Sequence, residues 1–267
     1  MLLPEHDEDG GLMLEFVQTA EEAARRAGQI LRAWSSKFTV REKSRSNLVT
    51  EADEASQAAI FEFIHGRYPS HGFCGEEGLS INETDSPYRW VIDPLDGTTN
   101  YVHAFPYYCV SIGLECRGEM IVGAVFDPVH DEMFLAVRGQ GASLNRRPLK
   151  CSGINELSQS LVIASLPVAT SAHEKAVSRF LNVLPVAQSV QRTGSAALNL
   201  ANVAAGRVEG FWSTSLKPWD MAAGILLVEE AGGRISKIDG SPFRLEEPDL
   251  LATNGSDIHE HLLALLV

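Results

Sequence analysis

The chain has 267 residues, 45% of them hydrophobic and 21% charged, which is the composition of an ordinary globular protein. The formal net charge of −13 argues against a nucleic-acid partner, because binding to a phosphate backbone depends on clusters of Lys and Arg. No apolar run reaches the length of a membrane span, and the N-terminus is acidic, unlike a secretion signal, so we expect a cytoplasmic protein without a membrane partner.

The four cysteines form no CxxC pair and have no His at zinc-ligand spacing. The sequence therefore indicates neither a disulfide framework nor a zinc site. We interpret the cysteines as reduced, mostly buried thiols.

Helical periodicity dominates the start of the chain. Apolar residues at helical spacing predict a long amphipathic helix over residues 12–34. Residues 38–41 are a candidate strand, residues 42–47 are predicted as an exposed loop, and residues 48–67 as a second helix. A short apolar piece at 71–78 then ends in two acids between glycines.

The rest of the chain is first rich in strands and then alternates strands with helices. Three β-rich runs, separated by Gly or Asp-Pro turns, predict an antiparallel meander over 107–114, 120–126 and 132–137. Further strands are predicted at 161–164, 186–192, 211–212, 234–237 and 250–253, and helices at 172–184, 195–205, 219–230 and 257–265. This change of pattern indicates one domain, 1–267, with subdomains of about 1–150 and 151–267.

One stretch, Trp-Val-Ile-Asp-Pro-Leu-Asp-Gly-Thr-Thr-Asn at 90–100, organises the site. Its apolar run ends in Asp93 and Asp96, and the chain then breaks into Gly and small hydroxyl residues, as at a strand end that opens into a cleft. Two nearby carboxylates repel each other unless a cation shares them, and oxygen ligands favour a hard ion such as Mg²⁺.

Other acids stand at similar positions, and each has a plain structural alternative. Glu76 follows a short apolar run but is equally typical of a surface turn, and Asp220 starts a helix, where an acid is a common N-cap. Asp96 before Gly97 suits an Asx-turn, and Asp53 suits a helical first turn whose acids complement the dipole.

Five motifs in order resemble the inositol monophosphatase family, within the Mg²⁺-dependent, lithium-sensitive phosphatases. They are Asn47-Leu-Val-Thr-Glu-Ala-Asp53, Gly75-Glu-Glu77, the stretch 90–100, Gly194-Ser-Ala-Ala197 and Trp219-Asp-Met-Ala-Ala-Gly224. The resemblance implies a layered α/β fold (α-β-α-β-α) with metals where the two subdomains meet, and a homodimer.

The resemblance also implies a metal set. Glu76, Asp93 and the carbonyl of Leu95 would hold a first Mg²⁺, and Asp93, Asp96 and Asp220 would hold a second. Two cations offset the negative charge around a phosphate, which an acidic protein needs in order to bind an anionic substrate.

Roles in the reaction follow from the same resemblance. Glu76 and Thr98 would orient the attacking water, and Asp53 would accept a hydrogen bond from the Thr98 hydroxyl. The backbone N–H groups of Gly97 and Thr98 would hold phosphate oxygens. Lys43 matches a mobile loop that closes over the site and helps to hold a third, weaker metal, although a solvated charge run is an equal alternative.

The substrate wall shows one departure from the family. The predicted substrate contacts are Asp93, Gly97, Thr98, Gly194, Ser195, Ala196, Ser213 and Asp220. Family members that favour myo-inositol phosphates usually carry Glu where this chain has Ser213, a shorter and uncharged residue. We therefore expect a roomier pocket that holds an inositol ring less firmly.

The function predicted is hydrolysis of a small phosphate monoester, namely inositol 1-phosphate or a related sugar or polyol phosphate. Alternatives on the same fold are histidinol phosphate, fructose bisphosphate or 3′-phosphoadenosine phosphate as substrate, and a noncatalytic phosphate-binding regulator. A phosphatase with an Asp nucleophile of the haloacid dehalogenase type is disfavoured. Its second Asp lies two residues after the first, whereas Asp96 lies three after Asp93.

Overall fold

A computed structural model gives the structure of the protein and describes residues 7–35, 37–44, 47–82, 86–167 and 174–267. Within these ranges the α-helices are α1 (Asp7–Trp34), α2 (Glu51–His65), α3 (Thr98–Val102), α4 (Lys175–Val183), α5 (Ala196–Ala204), α6 (Pro218–Glu230) and α7 (Ile258–Leu266). The strands in the first part are β1 (Val40–Ser44), β2 (Asn47–Thr50), β3 (Gly72–Gly75), β4 (Ser80–Ile81), β5 (Tyr88–Asp96), β6 (Cys109–Cys116), β7 (Glu119–Asp127), β8 (Glu132–Val137), β9 (Gly141–Leu144) and β10 (Arg147–Pro148). Those that follow are β11 (Leu161–Ala164), β12 (Ser189–Gln191), β13 (Gly210–Ser213), β14 (Arg234–Ser236) and β15 (Leu250–Thr253).

Strands of the first half build an eight-stranded sheet in the order β10-β9-β8-β7-β6-β5-β3-β4. Its pairs are antiparallel except β3 with β5, which run parallel. The parallel pair brings the ends of β3 and β5 to the same edge of the sheet, which places their acidic ends close together.

A second sheet of five strands has the order β12-β11-β13-β15-β14. β12, β11 and β13 are parallel, and β15 pairs antiparallel with β13 and with the edge strand β14. The predicted strand at 161–164 is confirmed with the same bounds, because its four apolar residues lie inside this sheet.

The layers alternate between helices and sheets. α1 and α2 cover one face of the large sheet, α5 and α6 lie between the two sheets, and α4 and α7 pack together behind the small one. Each layer buries its own apolar cluster, so the predicted α-β-α-β-α architecture is confirmed. None of the described helices combines the length and the hydrophobicity needed to cross a bilayer.

Small residues let α6 approach the large sheet closely. A Cβ added to Gly123 on β7 would lie 2.6 Å from the carbonyl oxygen of Ala223 on α6. Because Gly123 has no side chain, α6 can pack this closely against β7.

The predicted loop at 42–47 is wrong. Val40–Ser44 and Asn47–Thr50 pair as an antiparallel ribbon, in which Val40 lies opposite Thr50. Residues 45 and 46 lie outside the described ranges. Cross-strand hydrogen bonds, which depend on the partner strand, overcome the weak β-propensity of this charged stretch.

The first two helices begin at other residues than predicted. α1 begins at Asp7, five residues before the predicted start at 12, and α2 begins at Glu51 because residues 48–50 belong to β2. Thr50 caps α2 with its side chain, and Asp53 binds back to the Thr50 backbone, forming a capping box. The meander predicted from 107 to 137 is confirmed as β6, β7 and β8.

Candidate active site

Asp93 and Asp96 stand at the end of β5, a strand buried between β3 and β6. A bulge separates them: Asp93 pairs with Ser111 and Asp96 with Cys109 on β6. Their exposed fractions are only 1% and 8%, respectively. Such burial is unfavourable for carboxylates unless other groups compensate for their charge.

Glu76 follows β3, the parallel neighbour of β5. Its backbone N–H donates to the Ile92 carbonyl at 3.3 Å, which fixes Glu76 beside the strand that carries Asp93. Its side chain is partly exposed. Glu76 thus begins the turn that directly follows β3. The sequence had left a strand end and a surface turn equally open, and the structure combines the two.

Asp220 comes from the second half of the chain, in the first turn of α6. Pro218 opens the helix, and the Asp220 carboxylate accepts the backbone N–H of Lys217 at 2.8 Å. Asp220 is thus the third helical residue and not the N-cap. Although its side chain is partly exposed, surrounding protein atoms and the charge of Asp96 raise its pKa to about 8.

The four acids influence one another electrostatically. Burial first, and then the charges of Glu76, Asp96 and Asp220, raise the pKa of Asp93 well above its usual range. The carboxyl groups of Asp93 and Asp220 lie within hydrogen-bonding reach of each other. In the described part of the chain, none of Asp93, Asp96 and Asp220 forms an ion pair with Lys or Arg.

This donor set fits a hard divalent cation in its chemistry, because it offers only oxygen and because its three aspartates pair with no Lys or Arg among the described residues. Within the described ranges, no three His, Cys, Asp or Glu side chains are close enough to form a ready-made metal-binding group.

Asp53 and Thr98 meet behind this site. Asp53 is fully buried at the start of α2, and its Oδ2 accepts from the backbone N–H and the hydroxyl of Thr50 at 2.8 and 2.6 Å. Its Oδ1 lies 3.3 Å from the hydroxyl of Thr98. Burial raises the pKa of Asp53 to about 6, and the hydrogen bonds from Thr50 oppose the rise.

Gly97 makes the turn from β5 into α3. Its φ is +101°, and a Cβ there would lie 3.0 Å from the carbonyl oxygen of Tyr107. Both observations require glycine at this position. Next to it, the carbonyl of Leu95 lies 3.2 Å from the Thr98 hydroxyl, so that hydroxyl has two acceptors within reach.

The predicted substrate wall begins at an exposed Gly194 and continues into the N-terminus of α5. The Ser195 hydroxyl donates to Asp96 Oδ2 at 2.7 Å, and the Ala197 N–H donates to the same oxygen at 2.6 Å. Burial raises the pKa of Asp96, and these donors, together with the N–H of Ala196, oppose the rise. The start of α5 thus contacts a predicted metal ligand directly.

Ser213 ends β13 and is fully buried, with its hydroxyl accepting from the Ser215 N–H at 3.4 Å. Lys43 belongs to β1, and its side chain lies outside the described part of the structure. The structure therefore places Glu76, Asp96 and Asp220 near enough for their charges to raise the pKa of Asp93, and the predicted wall residue Ser195 contacts Asp96 directly.

Sequence reasoning quoted Asn100 within the motif but assigned it no role. Its Nδ2 donates to the carbonyls of Tyr107 at 2.7 Å and Thr193 at 2.9 Å, which joins α3 to the segment before α5. The sequence signal that could have indicated a role was its position as the last residue of a specific motif. Because Asn carries no charge, it did not suggest metal binding.

The sequence profile of the inositol monophosphatase family matches residues 13–267. The chain belongs to this family. Its members are phosphatases that use divalent metal ions, so the chain is a phosphoric monoester hydrolase that acts on a small phosphorylated substrate.

Individual relatives agree with this assignment. An inositol-1-monophosphatase of Synechocystis sp. is 42% identical over 250 residues, which cover 92% of this chain and 87% of the relative. The crystal structure of extragenic suppressor protein suhB from Bartonella henselae has a TM-score of 0.90 at 36% identity and covers 94% of this chain and 98% of its own. The inositol monophosphatase of Anabaena (Nostoc) sp. has a TM-score of 0.82 at 39% identity, with 95% of each chain covered.

Proposed function

We propose that the enzyme hydrolyses inositol 1-phosphate or a related polyol or sugar phosphate with two or three Mg²⁺ ions. The observation that supports this most strongly is the convergence of Glu76, Asp93, Asp96 and Asp220, with no Lys or Arg of the described ranges paired to the three aspartates. An anionic substrate can approach such a site only if cations reverse the local field.

Bound divalent cations would activate a water molecule for attack on phosphorus and offset the charge of the phosphate. Glu76, Asp93 and the Leu95 carbonyl are the proposed ligands of the first ion. Asp93, Asp96 and Asp220 are those of the second. We further propose that Lys43 and its loop support a third, weaker ion.

Thr98, Glu76 and Asp53 are proposed to orient the attacking water and the proton of the Thr98 hydroxyl. In this proposal Glu76 and the Thr98 hydroxyl orient the attacking water, and Asp53 keeps the hydroxyl proton directed away from it. The 3.3 Å contact from Thr98 to Asp53 supports that role. With Asp53 as acceptor, the Thr98 oxygen offers its lone pairs to the water.

Phosphate oxygens are assigned to the backbone N–H groups of Gly97 and Thr98, at the turn that opens α3. The left-handed φ of Gly97 supports this, because it directs successive N–H groups toward one side of the turn. Gly194, Ser195 and Ala196 are proposed as the adjoining substrate wall.

The substrate is proposed to be discriminated at Ser213. A Glu at this place would accept hydrogen bonds from ring hydroxyls, whereas the Ser213 hydroxyl is already engaged by the backbone of Ser215. We therefore expect a broad preference among small phosphate esters. Comparing kcat/KM over a panel of inositol, sugar, histidinol and nucleotide phosphates, for the wild type and Ser213→Glu, tests this. An unchanged order of preference in the variant would remove Ser213 from the proposal.

The activity itself is tested by release of inorganic phosphate from inositol 1-phosphate with and without Mg²⁺. We expect release that depends on Mg²⁺ and no covalent phosphoenzyme after acid quenching. An acid-stable phosphoaspartate would instead support nucleophilic attack by Asp93. No release from any ester, with phosphate binding retained, would favour a noncatalytic regulator.

We also propose inhibition by lithium, a homodimer, a cytoplasmic location and a subdomain boundary near residue 150. All four cysteines are free thiols, which supports a reducing compartment. Light scattering after size exclusion tests the dimer, and Li⁺ titration of phosphate release tests the inhibition.

A further inference from the structure

We propose that Ser195 is a positioning residue that sets the affinity of the acid site for divalent cations by orienting Asp96, and that Asn100 holds Ser195 in place for this purpose. The inference rests on the proposed role of Asp96 as a metal ligand. It extends that role to two residues that are not among the proposed metal ligands.

The first step is the state of the Asp96 carboxylate. Oδ2 accepts two short hydrogen bonds, at 2.7 Å from the Ser195 hydroxyl and at 2.6 Å from the Ala197 N–H. Two donors on one oxygen fix the plane of the carboxylate and leave its remaining lone pairs for a cation. The orientation of this ligand is thus decided by α5, a helix about one hundred residues further along the chain.

The second step separates this role from helix capping. Ser195 is also the N-cap of α5, but its hydroxyl accepts from the Leu198 N–H at 3.4 Å, a long contact. The bond to Asp96 is 0.7 Å shorter (3.4 against 2.7 Å) and is made to a charged acceptor. Charge-assisted hydrogen bonds of this length are the stronger kind, so the main contact of the hydroxyl is Asp96.

The third step is that Asp96 has no substitute for this hydroxyl. Ser195 is 1% exposed, and the neighbouring Cys109 thiol is a weak donor 4.0 Å from Asp96 Oδ2. Removing the hydroxyl would leave the carboxylate held by the backbone of α5 and this weak thiol donor. A less well-oriented ligand binds metal more weakly, commonly by about 10-fold to 100-fold.

Asn100 explains how Ser195 reaches Asp96. Its Nδ2 bridges the carbonyls of Tyr107 and Thr193, and its side chain fills the space beside Gly194. A Cβ on Gly194 would lie 3.0 Å from that Nδ2, and the φ of Gly194 is +92°. The chain therefore turns into α5 at a position that Asn100 determines.

The test measures cation binding in the absence of substrate, with the full-length chain. Mn²⁺ is titrated by calorimetry into the wild type, Ser195→Ala and Ser195→Thr. We expect Ser195→Ala to raise the Kd about tenfold. Ser195→Thr keeps the hydroxyl and should stay within about twofold of the wild type. Asn100→Ala should raise the Kd as well.

Thr193→Val is the matched control. Its hydroxyl donates to Asn199 Oδ1 at 2.6 Å in the same segment but does not contact Asp96. The control should therefore lose a partly buried hydrogen bond and leave the Kd unchanged. If Ser195→Ala does not fold, Ser195→Cys provides a weaker donor at the same place and should give an intermediate Kd.

The outcomes are distinct. A wild type that binds no Mn²⁺ contradicts the proposed metal site itself, independently of Ser195. A wild type that binds, with the same Kd in Ser195→Ala, overturns the positioning role. Equal increases of the Mn²⁺ Kd in Ser195→Ala and Thr193→Val would also overturn it, because the weaker binding would then reflect the stability of α5 alone.

Discussion

The hydroxyl of Thr98, in the first turn of α3, lies 3.3 Å from a carboxylate oxygen of Asp53, in the first turn of α2. The other oxygen of Asp53 closes the capping box with Thr50. One buried acid therefore completes a helix start and lies beside a hydroxyl of the candidate site. The helical-turn interpretation of Asp53 is confirmed, and its role in the reaction stays a prediction.

Thr98→Val removes the hydroxyl and keeps the shape of the side chain. We expect kcat to fall by about 100-fold or more, because the attacking water would lose a group that orients it. Thr98→Ser should retain most of the activity. Thr99→Val is the matched control, since Thr99 is exposed and adjacent. Steady-state phosphate release measures all three, and a wild-type kcat in Thr98→Val would exclude the role.

Asp220→Asn keeps the size of the side chain and removes its charge. We expect weaker binding of the divalent cation and at least about a 100-fold slower hydrolysis. The activity should recover partly at high Mg²⁺ concentration. Asp257→Asn, at an exposed position before α7, controls for the loss of one acid. Full activity of Asp220→Asn at low Mg²⁺ would contradict the assignment.

His259 predicts a pH-dependent stability. It is fully buried on α7, between the hydroxyls of Ser236 and Thr253 at 2.9 Å each, and burial lowers its pKa from 6.5 to about 4. Between these values the unfolded chain binds a proton that the folded chain does not. The free energy of unfolding therefore falls as the pH drops from 6.5 to 4, by up to about 3 kcal/mol from this group.

Urea unfolding at several pH values measures this effect. His259→Asn should be less stable near neutrality but should lose less stability across that window than the wild type. The same substitution at the exposed His261, on the same helix, is the matched control. A variant slope equal to that of the wild type would show that His259 does not carry the effect.

Gly123→Ala tests the close contact between β7 and α6. The new Cβ would meet the Ala223 carbonyl oxygen at 2.6 Å, so we expect a loss of about 1–3 kcal/mol in the free energy of unfolding. Gly153→Ala meets no atom within 4 Å and should change it by less than about 0.5 kcal/mol. Similar midpoints of denaturant unfolding for the two variants would mean that α6 can shift to accommodate the new Cβ.

Much of the fold could be predicted from the local spacing of apolar residues in the sequence. The helix at 12–34, the meander and the strand at 161–164 have apolar residues at the spacing that their own burial requires. The ribbon of β1 and β2 was predicted only at residues 40 and 41, and the rest was missed for the opposite reason. Its charged residues become strands only through pairing with each other.

For the acidic site too, only part could be predicted from the sequence. By itself the sequence determined the fold class and the family, since specific motifs carry them. From the same motifs it predicted Asp93, Asp96, Glu76 and Asp220 as the acids of the site. The roles of these acids and the boundary near residue 150 stay predictions.

Only the tertiary structure decided how the halves of the chain meet at Asp96. The bonds from Ser195 and Ala197 join residues about one hundred positions apart, and Asn100 reaches across a similar separation to Thr193. No local periodicity encodes such contacts, because they depend on how α5 packs against the end of β5. The hydroxyl of Ser195 is ordinary in the sequence, and its partner is set by the fold.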